Sequence, residues 1–138
     1  MILEIYTDGG SKGNPGPAAI GIVFFCGGKQ IKTYREDIGV ATNNIAEYKA
    51  VVRALEKVKD IKREMGSIQN IKVYSDSNLL TSQLMGKFKV KNAKIREFIL
   101  QIRILEQEND LPITYNYIPR ERNTIADDLV NNRYYQSC

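Results

Sequence analysis

The chain has 138 residues, of which 43% are hydrophobic and 26% charged, and its formal net charge is +4. This length predicts one domain over residues 1–138, and the composition excludes general disorder. No apolar run approaches the ~20 residues of a membrane span and no signal-peptide pattern is evident, so a cytoplasmic protein without a membrane partner is expected.

Hydrophobic periodicity predicts elements in the order βββαβααβα. The glycine-rich segment 9–17 is predicted to be a loop, and Gly27-Gly28 predicts a tight turn between the second and third strands. The predicted strands are 1–7, 18–26, 30–38, 70–75 and 114–118; the predicted helices are 43–59, 76–85, 92–108 and 124–131. The order predicts an α/β fold, with one five-stranded mixed sheet and helices on both faces.

The absence of histidine restricts the possible chemistry. Catalytic triads and metal sites built on histidine are excluded. The two cysteines, Cys26 and Cys138, form no zinc-binding spacing and are predicted to be free thiols; a disulfide between them is the alternative. Any catalysis must therefore depend on carboxylates, which bind hard metal ions through oxygen.

Four carboxylates stand near the ends of predicted elements: Asp8, Glu47, Asp76 and Asp127. Each also has a purely structural interpretation. Asp8 follows a strand into a turn, and Asp76 precedes a helix that it could cap. Glu47 and Asp127 each lie three residues after a possible capping residue.

The joint placement of these residues favours a metal site. If the strands before Asp8 and Asp76 are parallel neighbours joined through the helix that carries Glu47, their carboxylates meet at the edge where α/β sheets bind ligands. Asp127, in the last helix, could point to the same edge. Because like charges this close repel one another, such a cluster needs cations, and two Mg²⁺ ions ~4 Å apart are the usual arrangement for phosphodiester cleavage.

Each of the four carboxylates stands in a distinct motif. Residues 6–17 read Tyr-Thr-Asp-Gly-Gly-Ser-Lys-Gly-Asn-Pro-Gly-Pro, and residues 42–48 read Thr-Asn-Asn-Ile-Ala-Glu-Tyr. Residues 74–77 read Tyr-Ser-Asp-Ser, and residues 118–127 read Ile-Pro-Arg-Glu-Arg-Asn-Thr-Ile-Ala-Asp. In this order, the four segments resemble the motifs of type 1 ribonucleases H. The last motif favours Asp127 over its neighbour Asp128, because the family pattern is Asn-x-x-Ala-Asp.

The resemblance implies a ribonuclease H-like fold and hydrolysis of the RNA strand of RNA/DNA hybrids, leaving 5′-phosphate and 3′-hydroxyl ends. It implies two Mg²⁺ ions, with Mn²⁺ as a substitute. Asp8 would bridge both ions, and Asp127 would hold the ion that activates the attacking water. Glu47 and Asp76 would hold the ion that stabilises the leaving 3′ oxygen.

The same resemblance identifies candidate substrate-binding residues. Gly10 and Ser11 match contacts to the RNA strand, Asn43 and Asn44 contacts to the minor groove, and Thr42 a contact to a DNA-strand phosphate. The further candidates are Asn78, Lys89 and Lys91. Helix capping is the alternative for residues 42–44, and a solvated surface is the alternative for the lysines.

The sequence departs from many bacterial relatives in two places. Only residues 86–92 separate the two middle helices, so the basic handle of those relatives is missing, as in archaeal-like forms. The loop before Asp127 lacks their histidine, and Glu121 and Arg122 are candidates to replace it. Two alternative functions stay open: a broader nuclease that also cuts RNA/RNA duplexes, and a catalytically silent hybrid-binding module. A monomer is expected.

Overall fold

The computed structural model describes residues 1–87 and 89–134. In these residues five strands form one sheet in the order β3-β2-β1-β4-β5. β1 pairs antiparallel with β2 and parallel with β4, so the predicted mixed sheet is confirmed. The strands are β1 Ile2–Ser11, β2 Gly16–Cys26, β3 Lys29–Ala41, β4 Asn70–Ser75 and β5 Ile113–Tyr117.

The helices follow the predicted order. They are α1 Asn43–Met65, α2 Asn78–Leu84, α3 Ala93–Asn109 and α4 Thr124–Val130. A short 3₁₀ turn, Arg120–Arg122, precedes α4 and was not predicted. None of the helices in the described residues has the length and apolar character needed to cross a membrane.

The helices cover both faces of the sheet, as predicted. Side chains of successive strand residues point to opposite faces. A Cβ on Gly9 would meet the backbone of α1, whereas a Cβ on Gly10 would meet Val130 of α4. The main core lies on the α1 face, where Leu3 and Ile5 of β1 are completely buried.

The loop predicted over residues 9–17 is longer than the loop in the structure. β1 continues to Ser11 and β2 begins at Gly16, and Gly9 pairs with Ile20 within the ladder. A Cβ on Gly9 would lie 2.3 Å from the carbonyl carbon of Ala46. Glycine at this position therefore permits close packing of α1 on the sheet and does not mark a turn.

The first helix is longer than the predicted 43–59. Its apolar stripe continues through Ile61, which is buried. The helix ends at Met65 and is followed by Gly66, whose φ of 77° suits glycine and whose N–H donates to the Lys62 carbonyl. This long helix leads from β3 to β4, which pairs in parallel with β1. The carboxyl ends of β1 and β4 therefore lie at one edge of the sheet.

Candidate active site

Three carboxylates meet at that edge of the sheet. Thr7 and Ser75 form the last pair between β1 and β4, so Asp8, which is still within β1, and Asp76, which follows β4, lie side by side. Glu47 approaches from the first turns of α1. One carboxylate oxygen from each of Asp8, Glu47 and Asp76 lies within 4.8 Å of the other two. The predicted convergence of these three residues is therefore present in the structure.

Glu47 is fixed by the sheet. Its carboxylate accepts hydrogen bonds from the Gly9 N–H at 2.6 Å and from the Ser75 hydroxyl at 3.4 Å. The capping alternative for Glu47 is wrong, because the side chain that caps α1 is Thr42, which accepts from the Ile45 N–H at 3.2 Å.

The capping alternative for Asp76 is also wrong. Ser77 caps α2 by accepting from the Leu80 N–H at 3.2 Å. The Asp76 carboxylate accepts instead from the side-chain amide of Asn123 at 3.2 Å, and that amide also donates to the Thr7 carbonyl at 2.9 Å. Asn123, which is buried, thus ties Asp76 and β1 to the start of α4.

Asp127 lies on α4 and is held differently. Its carboxylate accepts from Arg120 at 3.1 Å, Asn131 at 3.1 Å and Arg133 at 3.2 Å. It does not complete a capping box, since no side chain caps α4. The neighbouring Asp128 pairs only loosely with Arg133, at 3.7 Å, and does not line the cleft described below.

The side chain of Arg120 lies between the carboxylates of Asp76 and Asp127. One of its nitrogens lies 3.6 Å from Asp76 and another 3.1 Å from Asp127. The negative charge of Asp76 is the main cause of the raised pKa of Arg120. A cation is therefore favoured at this position.

Burial and mutual repulsion govern the titration of Asp8 and Glu47. The pKa of Asp8 is raised to about 7, mainly by burial; a hydrogen bond with Glu47 lowers it and the charge of Asp76 adds to the rise. Burial, followed by the charge of Asp8, raises the pKa of Glu47 well above its ordinary value. Both ionised forms are therefore costly in the protein alone.

These residues have the properties required of a metal site. Their donor atoms are all carboxylate oxygens, the ligands that Mg²⁺ and Mn²⁺ prefer. One oxygen of Asp8 is buried without a hydrogen-bond partner among the described residues. A buried polar atom is usually satisfied, and a cation beside this oxygen would satisfy it.

The carboxylates line an open cleft of about 670 Å³. Four predicted substrate-binding residues line it as well: Gly10, Ser11, Asn43 and Asn44. Ser11 donates to the Asn43 side chain through its N–H at 2.9 Å, so the β1 end and the α1 start form one wall.

The other predicted substrate-binding residues do not line the cleft. Thr42 caps α1, and Asn78 is exposed at the start of α2. Lys89 and Lys91 are exposed between α2 and α3. Contacts of these residues to nucleic acid stay predictions.

Sequence reasoning missed two arginines of the cleft, Arg35 and Arg120. Arg120 stands inside the fourth motif and could have been singled out there. Neither Glu121 nor Arg122, the candidates to replace the loop histidine, lines the cleft. Arg122 lines a separate small pocket beside Tyr6.

Comparisons with known proteins agree with this geometry. The family model described as "Reverse transcriptase-like" matches residues 6–133. LC11-RNase H1, isolated from compost, has been solved in complex with an RNA/DNA hybrid; it superposes with a TM-score of 0.88 at 38% identity, covering 94% of each chain. The sheet and site therefore define a ribonuclease H fold.

Two further relatives resemble the chain over most of its length. Ribonuclease HI of Halobacterium salinarum is 38% identical over 131 residues, which cover 94% of this chain and 62% of that protein. Bifunctional protein Rv2228c of Mycobacterium tuberculosis is 35% identical over 134 residues, which cover 96% of this chain and 35% of that protein. The chain thus spans about a third of the mycobacterial relative. It belongs to the type 1 ribonuclease H family.

Proposed function

We propose that this protein is an endonuclease that hydrolyses the RNA strand of RNA/DNA hybrids, leaving 5′-phosphate and 3′-hydroxyl ends. The observation that carries the proposal is the set of carboxylates Asp8, Glu47 and Asp76, with oxygens within 4.8 Å of one another in an open cleft that Asp127 also lines. Family membership and the hybrid complex of LC11-RNase H1 support the choice of substrate.

The four carboxylates would hold two divalent cations, Mg²⁺ or in its place Mn²⁺. Asp8 would be shared between the ions, Glu47 and Asp76 would complete one site, and Asp127 the other. When bound, such ions lower the pKa of water and stabilise the charge that develops on the scissile phosphate.

The residues of the chain prepare this site in three ways. The Gly9 N–H and the Ser75 hydroxyl orient Glu47, so its oxygens are fixed before a ligand arrives. The Asn123 amide orients Asp76. Arg120 supplies positive charge between Asp76 and Asp127. Preorganised groups of this kind favour the transition state because they need little rearrangement during the reaction.

The wall formed by Gly10, Ser11, Asn43 and Asn44 would receive the duplex. A-form-like helices are recognised through their shape and 2′-hydroxyl groups, and small polar residues and backbone amides suit such contacts. Thr42, Asn78, Lys89 and Lys91 would contact phosphates or the groove farther from the carboxylates. A single domain acting as a cytoplasmic monomer completes the proposal.

One observation favours a second candidate, a nuclease that also accepts RNA/RNA duplexes. α2 ends at Leu84 and α3 begins at Ala93, which leaves a short connection for contacts to the second strand. Fewer contacts to that strand would discriminate less between DNA and RNA. A silent hybrid-binding module is disfavoured, because all four carboxylates line the cleft.

The test is kcat/KM in Mg²⁺ on three labelled duplexes of one sequence, RNA/DNA, RNA/RNA and DNA/DNA, at fixed salt. We expect the hybrid to be cut fastest and DNA/DNA to stay intact. Equal values for the hybrid and RNA/RNA would support the broader nuclease. Comparable cutting of DNA/DNA, or no cutting of the hybrid, would reject the proposal.

A further inference from the structure

The position of Asp127 relative to the other carboxylates depends on how α4 lies on the sheet. Asp8, Glu47 and Asp76 belong to β1, α1 and the end of β4, which are tied together by the sheet and by the hydrogen bonds of Glu47. The side chains that hold the Asp127 carboxylate, by contrast, all come from residues 120–133. That segment must therefore be fixed as a unit.

The segment is anchored to the sheet at the amino-terminal end of α4. The side-chain amide of Asn123, the residue just before the helix, donates to the Thr7 carbonyl at 2.9 Å. Below the middle of the helix, the absence of a side chain at Gly21 lets α4 approach the sheet closely. A Cβ at Gly21 would lie 2.4 Å from the Ala126 carbonyl oxygen.

Arg35 anchors the carboxyl-terminal end. It lies on β3 and is the register partner of Gly21. Its Nε donates to the Leu129 carbonyl at 2.7 Å, and one terminal nitrogen donates to the Val130 carbonyl at 3.4 Å. The last carbonyls of a helix lack intrahelical partners and carry partial negative charge, so a guanidinium is well suited to bind them.

The Arg35 guanidinium makes a third contact, with an exposed carboxylate. Its remaining nitrogen lies 3.0 Å from the Asp37 carboxylate on the same strand, and 27% of the Arg35 side chain is exposed. The planar fork of arginine can bind two carbonyls and a carboxylate at once, whereas a lysine ammonium is a point charge with no fork. The residue type thus matches the three acceptors.

We propose that Arg35 is a positioning residue that clamps the end of α4 to β3 and so sets the location of the Asp127 carboxylate in the metal site. The inference rests on the proposed function only in assigning Asp127 as a metal ligand. Among the described residues, the polar contacts of the Arg35 side chain are with Leu129, Val130 and Asp37, and none is with a carboxylate of the proposed metal site.

Binding of Mn²⁺, measured by calorimetry without nucleic acid, tests this role. Removing a group that orients a metal ligand typically costs about 10–100-fold in metal affinity or activity. We expect a loss of that order for Arg35→Ala and a smaller loss for Arg35→Lys, which keeps the charge but has a single donor nitrogen. Arg63→Ala is the matched control, because Arg63 is 78% exposed and pairs with Asp60 at the far end of α1. It should bind Mn²⁺ as the wild type does.

A double-mutant comparison separates positioning from general damage to the fold. If Arg35 acts through Asp127, Arg35→Ala should cause no further loss of Mn²⁺ affinity in an Asp127→Asn background. An equal loss in both backgrounds would overturn the proposal. Should Arg35→Ala fail to fold, Arg35→Lys is measured in both backgrounds with the same criterion.

Cleavage kinetics provide the second readout. A positioning role predicts a lower kcat on the hybrid, a higher Mn²⁺ concentration for half-maximal activity and an unchanged KM. A higher KM with unchanged kcat and Mn²⁺ affinity would instead identify Arg35 as a phosphate contact and overturn the proposal. If the wild type cuts no hybrid but Arg35 and Asp127 remain coupled in Mn²⁺ binding, the proposed function fails and the positioning role stands. If the hybrid is cut and the coupling is absent, the positioning role fails alone.

Discussion

The inner carboxylates, Asp8, Glu47 and Asp76, share one cleft with Asp127 of α4, but the two sets are held in place by different contacts. Asp8 and Glu47 are 2% and 8% exposed, and strand pairing and backbone donors fix their places. Asp127 is half-buried on a seven-residue helix and is surrounded by the arginines of its own segment. Asp8 and Glu47 therefore repel one another within the fold, whereas Asp127 has the arginines that offset its charge directly beside it.

The largest expected effect concerns the inner group. Asp8→Asn should keep the fold and reduce cleavage by on the order of 10³-fold or more, as expected when a group acting on transition-state charge is lost. It should also raise Tm in metal-free buffer at neutral pH, because a buried charge is removed. Activity and melting should be measured on the same preparations; near wild-type cleavage would remove Asp8 from the site.

Two glycines test whether the inner and outer regions depend on different contacts. Gly9→Ala would press a Cβ against α1 and the main core, and Gly21→Ala would press one against the shorter α4. Overpacking typically costs about 1–3 kcal/mol. We expect Gly9→Ala to lower the free energy of unfolding by the upper end of this range or more. Gly21→Ala should cost less stability yet still reduce cleavage, because it displaces Asp127. Urea denaturation together with kcat measures both; a larger stability loss for Gly21→Ala would contradict the comparison.

These contrasts also show how far the sequence alone could reach. Asp8 and Asp76 follow predicted hydrophobic strands, and their meeting at one edge was expected if those strands paired in parallel, which the structure confirms. The sequence predicts a loop over residues 9–17, whereas Gly9 and Gly10 lie in β1 and Gly13 lies in the turn. A glycine that admits a helix and a glycine that makes a turn are identical in sequence. The Arg35 side chain binds the backbone carbonyl of Leu129, 94 positions away. Because the acceptor is a backbone atom, no side-chain pattern in the sequence marks this partner.

The pH dependence of stability should depend on Asp8. The pKa of Asp8 is raised from 3.8 to about 7 in the folded protein, so the folded state binds more protons than the unfolded state between these values. The contribution of Asp8 to the stability of the metal-free protein should therefore be fully present below about pH 4. This contribution should be lost as the pH rises through about 7. The effect should amount to a few kcal/mol at most.

Denaturation curves from pH 4 to pH 8 in chelator measure this dependence. Asp8→Asn should flatten the curve, and saturating Mg²⁺ should restore wild-type stability near neutral pH by binding the ionised form. A wild-type curve that rises through this window, with Asp8→Asn following it, would show that Asp8 is not the group concerned.

The smallest effect is expected just outside the cleft. Asp128→Asn removes a charge from the same helix as Asp127, but the Asp128 side chain is 41% exposed and only loosely paired. Its stability should change by no more than about 0.5 kcal/mol, and cleavage should stay near the wild-type rate. An inactive Asp128→Asn beside an active Asp127→Asn would exchange the roles assigned to these neighbours.

Asp8, Glu47 and Asp76 are expected to be the ligands of one divalent cation. Anomalous diffraction from crystals soaked in Mn²⁺ tests this directly, with Asp8→Asn crystals as the control. We predict a Mn²⁺ peak in contact with oxygens of Asp8, Glu47 and Asp76 in the wild type, and a weaker or absent peak in the variant. A wild-type protein whose Mn²⁺ lies elsewhere, or an unchanged peak in Asp8→Asn, would contradict the account.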